Sequence, residues 1–151
     1  MSILVALHAL AAVVWVGGMV FAHFMLRPSL GPLEPAHRLA LWGRVFARFF
    51  PTVWVALALL LGTGYAMIFA HWGGFAALPL YLHLMQGIGL VMALLFAHLW
   101  FAPYARFKAA LASGEGPAAA VQLNRIRLIV TINMTLGLIN AVVGPAGRYL
   151  G

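Results

Sequence analysis

Apolar residues run almost unbroken through four stretches of the chain, at about 3–26, 51–69, 79–102 and 126–143. Turn-forming and charged residues gather between them. A helix crosses a hydrocarbon core of ~30 Å with ~20 apolar residues, and each stretch is close to that length. The pattern predicts an all-α integral membrane protein. Its expected form is a four-transmembrane-helix up-down bundle in a single domain over 1–151. One segment breaks the apolar rule. Between the first and second spans, 36–50 sets Arg38, Arg44 and Arg48 among Leu39, Leu41, Trp42, Val45, Phe46 and Phe49. That basic amphipathic order predicts a segment lying along the interface before helix two.

Prolines set the expected ends. Arg27-Pro28 closes the first span, Pro103 the third and Gly144-Pro145 the fourth, because proline disfavours helix at the residue before it. Pro28, Gly31, Pro32 and Pro35 make the first connection turn-rich, and Ser113-Gly114-Glu115-Gly116-Pro117 makes the third flexible. Nothing ahead of the first span resembles the basic start of a signal peptide, so it reads as a retained helix.

Composition strengthens the membrane assignment. Of 151 residues, 65% are hydrophobic and 7% charged, with a mean hydropathy of +1.03. Soluble domains carry about 25% charged residues. The absence of cysteine excludes disulfides, thiolate metal sites, thiol catalysis and haem attached through Cys-x-x-Cys-His. A net charge of +7 would point to nucleic acid in a soluble protein. Here it has another cause, and no nucleic-acid partner is expected. Connection one holds Arg27, Arg38, Arg44 and Arg48, and connection three holds Arg106, Lys108, Arg125 and Arg127. These are eight of the nine basic residues; the other is Arg148 in the tail. Connection two has none. Basic loops face the cytoplasm, so both termini are expected in the periplasm of a bacterial inner membrane.

Histidine supplies the candidate chemistry. His8 and His23 lie in the first span, His83 and His98 in the third, and each pair is fifteen residues apart. That is ~22 Å along a helix, with the two rings within ~60° of one face. Helices one and three of an up-down bundle run in the same direction, as diagonal neighbours. Ionisable residues inside a membrane mark function by default. The expectation is two bis-histidine haem b groups, an outer one on His8 and His83 and an inner one on His23 and His98. Trp15, Gly17, Gly18 and Gly87 are expected to shape the cavity. Asn133 and Asn140 share one face of the fourth span, as interhelical hydrogen-bonders or partners of the site. His37 and His71 read as interfacial or solvated. Copper is the alternative metal on the same four histidines. Met25 and Met85 each lie two residues from a histidine, but on a helix such positions diverge by ~200° and do not grip one ion. The leading function is then a haem protein carrying electrons across or within the membrane. A quinol or a cytochrome is its expected redox partner.

Several segments resemble a known family. Leu7-His8-Ala9 to Trp15-Val16-Gly17-Gly18, Gly62-Thr63-Gly64, Leu82-His83 to Ala97-His98, and Arg127-Leu128 to Asn133 with Leu136-Gly137-Leu138 are similar to the membrane domain of the CopD family. The resemblance covers most of the chain and implies copper uptake or resistance. The spacing of His83 and His98 also resembles HemJ, a haem-binding membrane family linked to protoporphyrinogen oxidation. Met85 and Gln86 stand where that family has a lysine, and its acidic residue near helix four is absent, which argues against HemJ activity. A haem-dependent oxidoreductase acting on a quinol, superoxide or a porphyrinogen is a further alternative. So is a homo-oligomer or a subunit of a larger complex.

Overall fold

Four long helices account for nearly all of the described chain: α1 (Ser2–Ser29), α2 (Pro35–Trp72), α3 (Leu80–Ala112) and α4 (Gly116–Gly147). They are seen in a computed structural model that describes residues 1–147 and 149. Arg148, counted above among the basic residues, lies outside the described residues. Among the described residues there is no strand. All four helices are long and apolar enough to cross a membrane. The chain is a multi-pass membrane protein whose solvent is a lipid bilayer.

The helices close an up-down bundle. α1 packs on α2 and α4, and α3 packs on α4. α1 and α3 are diagonal and meet through Trp15 and Phe96, whose ring centroids are 6.1 Å apart. An aromatic column continues from there. Trp54 lies edge-on to Phe96 at 5.2 Å, Phe50 edge-on to Tyr104 at 4.8 Å, and Phe46 stacks on Phe50 at 4.7 Å.

The spans are longer than the apolar pattern predicted. The basic stretch 36–50 is no separate segment: it forms the first part of α2, which runs 38 residues through Pro51. At 1.5 Å per residue α2 is about 57 Å long, about 27 Å more than the hydrocarbon core. The extension has its own interior, where Trp42, Phe46, Phe107, Ala119, Leu123 and Ile126 are buried.

Prolines do not stop the helices as expected. Pro103 lies inside a π turn, Trp100–Tyr104, and the helix continues to Ala112. Pro28 follows a second π turn, Ala22–Leu26, in which the Arg27 N–H reaches back to the Ala22 carbonyl. A π turn shifts the hydrogen-bond register by one residue, so a missing N–H is accommodated without breaking the rod. α2 does end where glycine permits it. Gly73, at φ 69°, caps its carboxyl end in the left-handed conformation.

Candidate metal path

The two histidines of α1 are held in the same way. Thr63 of α2 has one hydroxyl proton and donates it to the Leu59 carbonyl at 2.5 Å. Its oxygen then accepts from His8 Nδ1, 2.9 Å away. This assigns the ring proton to Nδ1 and leaves the lone pair on Nε2. Gly64 makes the approach possible, since a Cβ there would lie 3.3 Å from His8 Cε1. Near the other end of α1, Thr131 of α4 donates to the Arg127 carbonyl at 2.8 Å. His23 Nδ1 lies 3.4 Å from the Thr131 oxygen, which is free to accept. Each threonine thus fixes one imidazole through Nδ1, and the neutral ring so held carries its lone pair on Nε2. Both rings are half-buried.

The other histidines are placed differently. His83 and His98 are exposed on α3, as are His37 and His71 on α2. Between α1 and α3 the buried contact is aromatic instead, made by Trp15 and Phe96, 3% and 2% exposed. Trp15 is therefore a core residue. Gly18 receives the Phe49 ring, while Gly17 and Gly87 have nothing within 4 Å of where a Cβ would stand. The cavity lined by His23, Arg27, Trp42 and Arg127 measures about 40 Å³. Small-molecule sites occupy ~300 Å³ or more. The larger groove, about 570 Å³, is lined by Leu26, Leu41, Arg44, Val45, Arg48, Phe49 and Thr52, with no histidine. Among the described residues no group of three or more His, Cys, Asp or Glu side chains is placed to hold a metal ion.

Asn133 and Asn140 face α3. Asn133 Nδ2 donates to the Met92 carbonyl and Asn140 Nδ2 to the Met85 carbonyl, each at 3.2 Å. Gln86 Nε2 reaches Tyr65 Oη at 3.4 Å and ties α3 to α2. Sequence reasoning placed the two asparagines on one face of the fourth span, as interhelical hydrogen-bonders or partners of the site. It missed Thr63. The signal was a lone hydroxyl between Gly62 and Gly64 in a mostly apolar span.

Comparison with known proteins adds one finding. A family model described as copper resistance protein D matches residues 43–144. No match was found among the curated proteins or among the solved structures. The family match supports the CopD resemblance and not the HemJ one. It also overturns the reading as a haem b electron carrier. The matched family is one of copper handling. The expected haem ligands are split between hydrogen-bonded, half-buried α1 rings and exposed α3 rings.

Proposed function

Because the chain belongs to the copper resistance protein D family, we propose that it passes copper ions through the membrane, in uptake or resistance. The observation that carries this reading is the matched pair of α1 histidines, each with Nδ1 held by a threonine hydroxyl, which puts the lone pair of the neutral ring on Nε2. A neutral imidazole nitrogen is a good copper ligand. The hydrogen bond on the opposite nitrogen fixes the ring and raises its basicity. Each ring offers one donor, which suits an ion in transit: it binds well enough to enter and weakly enough to leave.

In this reading the ion is cargo. His8 and His23 are stations ~22 Å apart near the two ends of one helix. His83 and His98, exposed at comparable depths on α3, are approach ligands. The four helices act as one domain. The lipid is that of a bacterial inner membrane, with His8 and His83 toward the periplasm. The charge distribution supports that orientation.

The test uses the full chain in sealed vesicles with a copper-sensitive dye inside. With Cu(I) outside under reductant, the wild type should fill the vesicles faster than protein-free lipid. His8→Ala and His23→Ala should each slow filling about tenfold or more, and His83→Ala and His98→Ala less. Filling no faster than bare lipid, or untouched by both α1 substitutions, sinks the proposal.

A further inference from the structure

The seam between α3 and α4 repeats itself. On α4, Asn133 and Gly137 are four residues apart, and so are Asn140 and Gly144, seven residues further on. On α3, Met92 and Met85 are also seven apart. The register matches unit to unit. Asn133 holds the Met92 carbonyl, and the Met92 methyl lies 3.1 Å from where a Gly137 Cβ would stand. Asn140 holds the Met85 carbonyl, and the Met85 sulfur lies 3.1 Å from where a Gly144 Cβ would stand.

Each unit also leaves something unsatisfied. Asn133 Oδ1 and Asn140 Oδ1 are buried without a hydrogen-bond partner, and Asn133 is only 2% exposed. Buried amide oxygens are ordinarily paired, and an orphan is costly. Simple helix adhesion uses the amide N–H groups and leaves the oxygens unexplained. Positions four apart on a helix face are ~5–6 Å from each other. Each asparagine and the glycine against which a methionine packs are therefore neighbours on one face of α4.

We infer that the α3–α4 seam holds two stacked sites for a soft monovalent metal ion, each formed by one methionine thioether and one asparagine amide oxygen: Met92 with Asn133, and Met85 with Asn140. The inference rests on the copper reading above and names the interior steps between its two histidines. Thioethers select Cu(I) among the available copper states. α4 carries no charged residue from Leu128 to Gly147, and α3 carries none from Leu80 to Ala105. A single positive charge is less costly to hold in such surroundings than a double one. The two units are ~10.5 Å apart along the axis. Both lie beyond Thr131 in the direction of the His8 end, so they fall between the depths of the two histidines.

Leucine replaces methionine with little change in volume, so Met85→Leu and Met92→Leu remove sulfur while keeping the packing. The full chain in detergent is loaded with Ag(I), a stand-in for Cu(I), and metal–sulfur scattering is read by X-ray absorption. The wild type should show it, each single variant should lose part, and the double variant should lose it entirely. In vesicles the double variant should pass Cu(I) at least tenfold more slowly, with an unchanged melting temperature. If Met92→Leu does not fold, Met85→Leu alone, at the half-buried outer unit, should lower both signals severalfold. Wild-type sulfur scattering in the double variant, or in Met85→Leu when it alone folds, overturns the inference. Failure of His8→Ala and His23→Ala to slow passage would instead sink the copper reading, and the Ag(I) signal would still decide the seam.

Discussion

Thr63 sets which nitrogen of His8 is available. Its hydroxyl proton goes to Leu59, so its oxygen can only accept from the ring. Thr63→Val keeps the bulk and removes the acceptor. Partners of this kind affect metal affinity by ~10–100-fold, so Cu(I) affinity at His8 should fall by about that factor. Thr63→Ser should retain it. Titration against a competing Cu(I) chelator measures both, and a valine variant equal to wild type would refute the role. The histidine spacing was legible in the sequence because fifteen residues on one helix have a fixed geometry. The threonine was not, because it lies 55 positions away on another helix and nothing local marks the pairing. The α3 histidines misled for a related reason. Spacing gives the angle between two residues of one helix, but not which way that helix is turned toward its neighbours.

Helix existence was legible, and helix ends were not. The apolar runs found the four rods, yet prolines 28, 103 and 145 all sit within helical turns. Local rules that stop an isolated helix yield to packing on both sides, with a π turn absorbing the missing donor at Pro103. Glycines misled in a second way. They suggested room for a flat cofactor, but a glycine gives room to whatever is nearest. At Gly18 that is Phe49, and at Gly137 it is Val16, 2.7 Å from where a Cβ would stand. Gly137→Val should therefore wedge α4 away from α1 and α3. Overpacking of this sort costs about 1–3 kcal/mol, visible as a lower melting temperature in detergent. Gly17→Ala meets nothing within 4 Å and should leave the melting temperature unchanged or slightly raised. Equal effects at the two sites would show that the α1–α4 contact does not hold the bundle together.

The whole molecule is asymmetric from end to end. At one end α2 closes on Gly73 and a short turn at Phe75–Ala77, in a connection without Lys or Arg. At the other, α2, α3 and α4 run on past the hydrocarbon around Trp42, Phe107 and Ile126, and eight basic residues surround them. With Glu34 and Glu115 the chain's two acidic residues, that charge has little compensation within the protein. A segment so cationic resists translocation, which supports the proposed orientation, with the extended end in the cytoplasm and both termini outside. The lack of cysteine makes this directly testable, since a single introduced thiol is the only reactive one. Ala76→Cys, in connection two, should be blocked in intact cells from labelling by a membrane-impermeant maleimide if it shares a side with the basic loops, and labelled if it does not. An up-down bundle puts connection two on the side opposite connections one and three, the same side as the termini. Ala76→Cys should therefore label in intact cells, and Ser113→Cys, at the tip of the basic extension, should label only after the membrane is opened. The reverse pattern would invert the bundle and place His23, rather than His8, at the outer face.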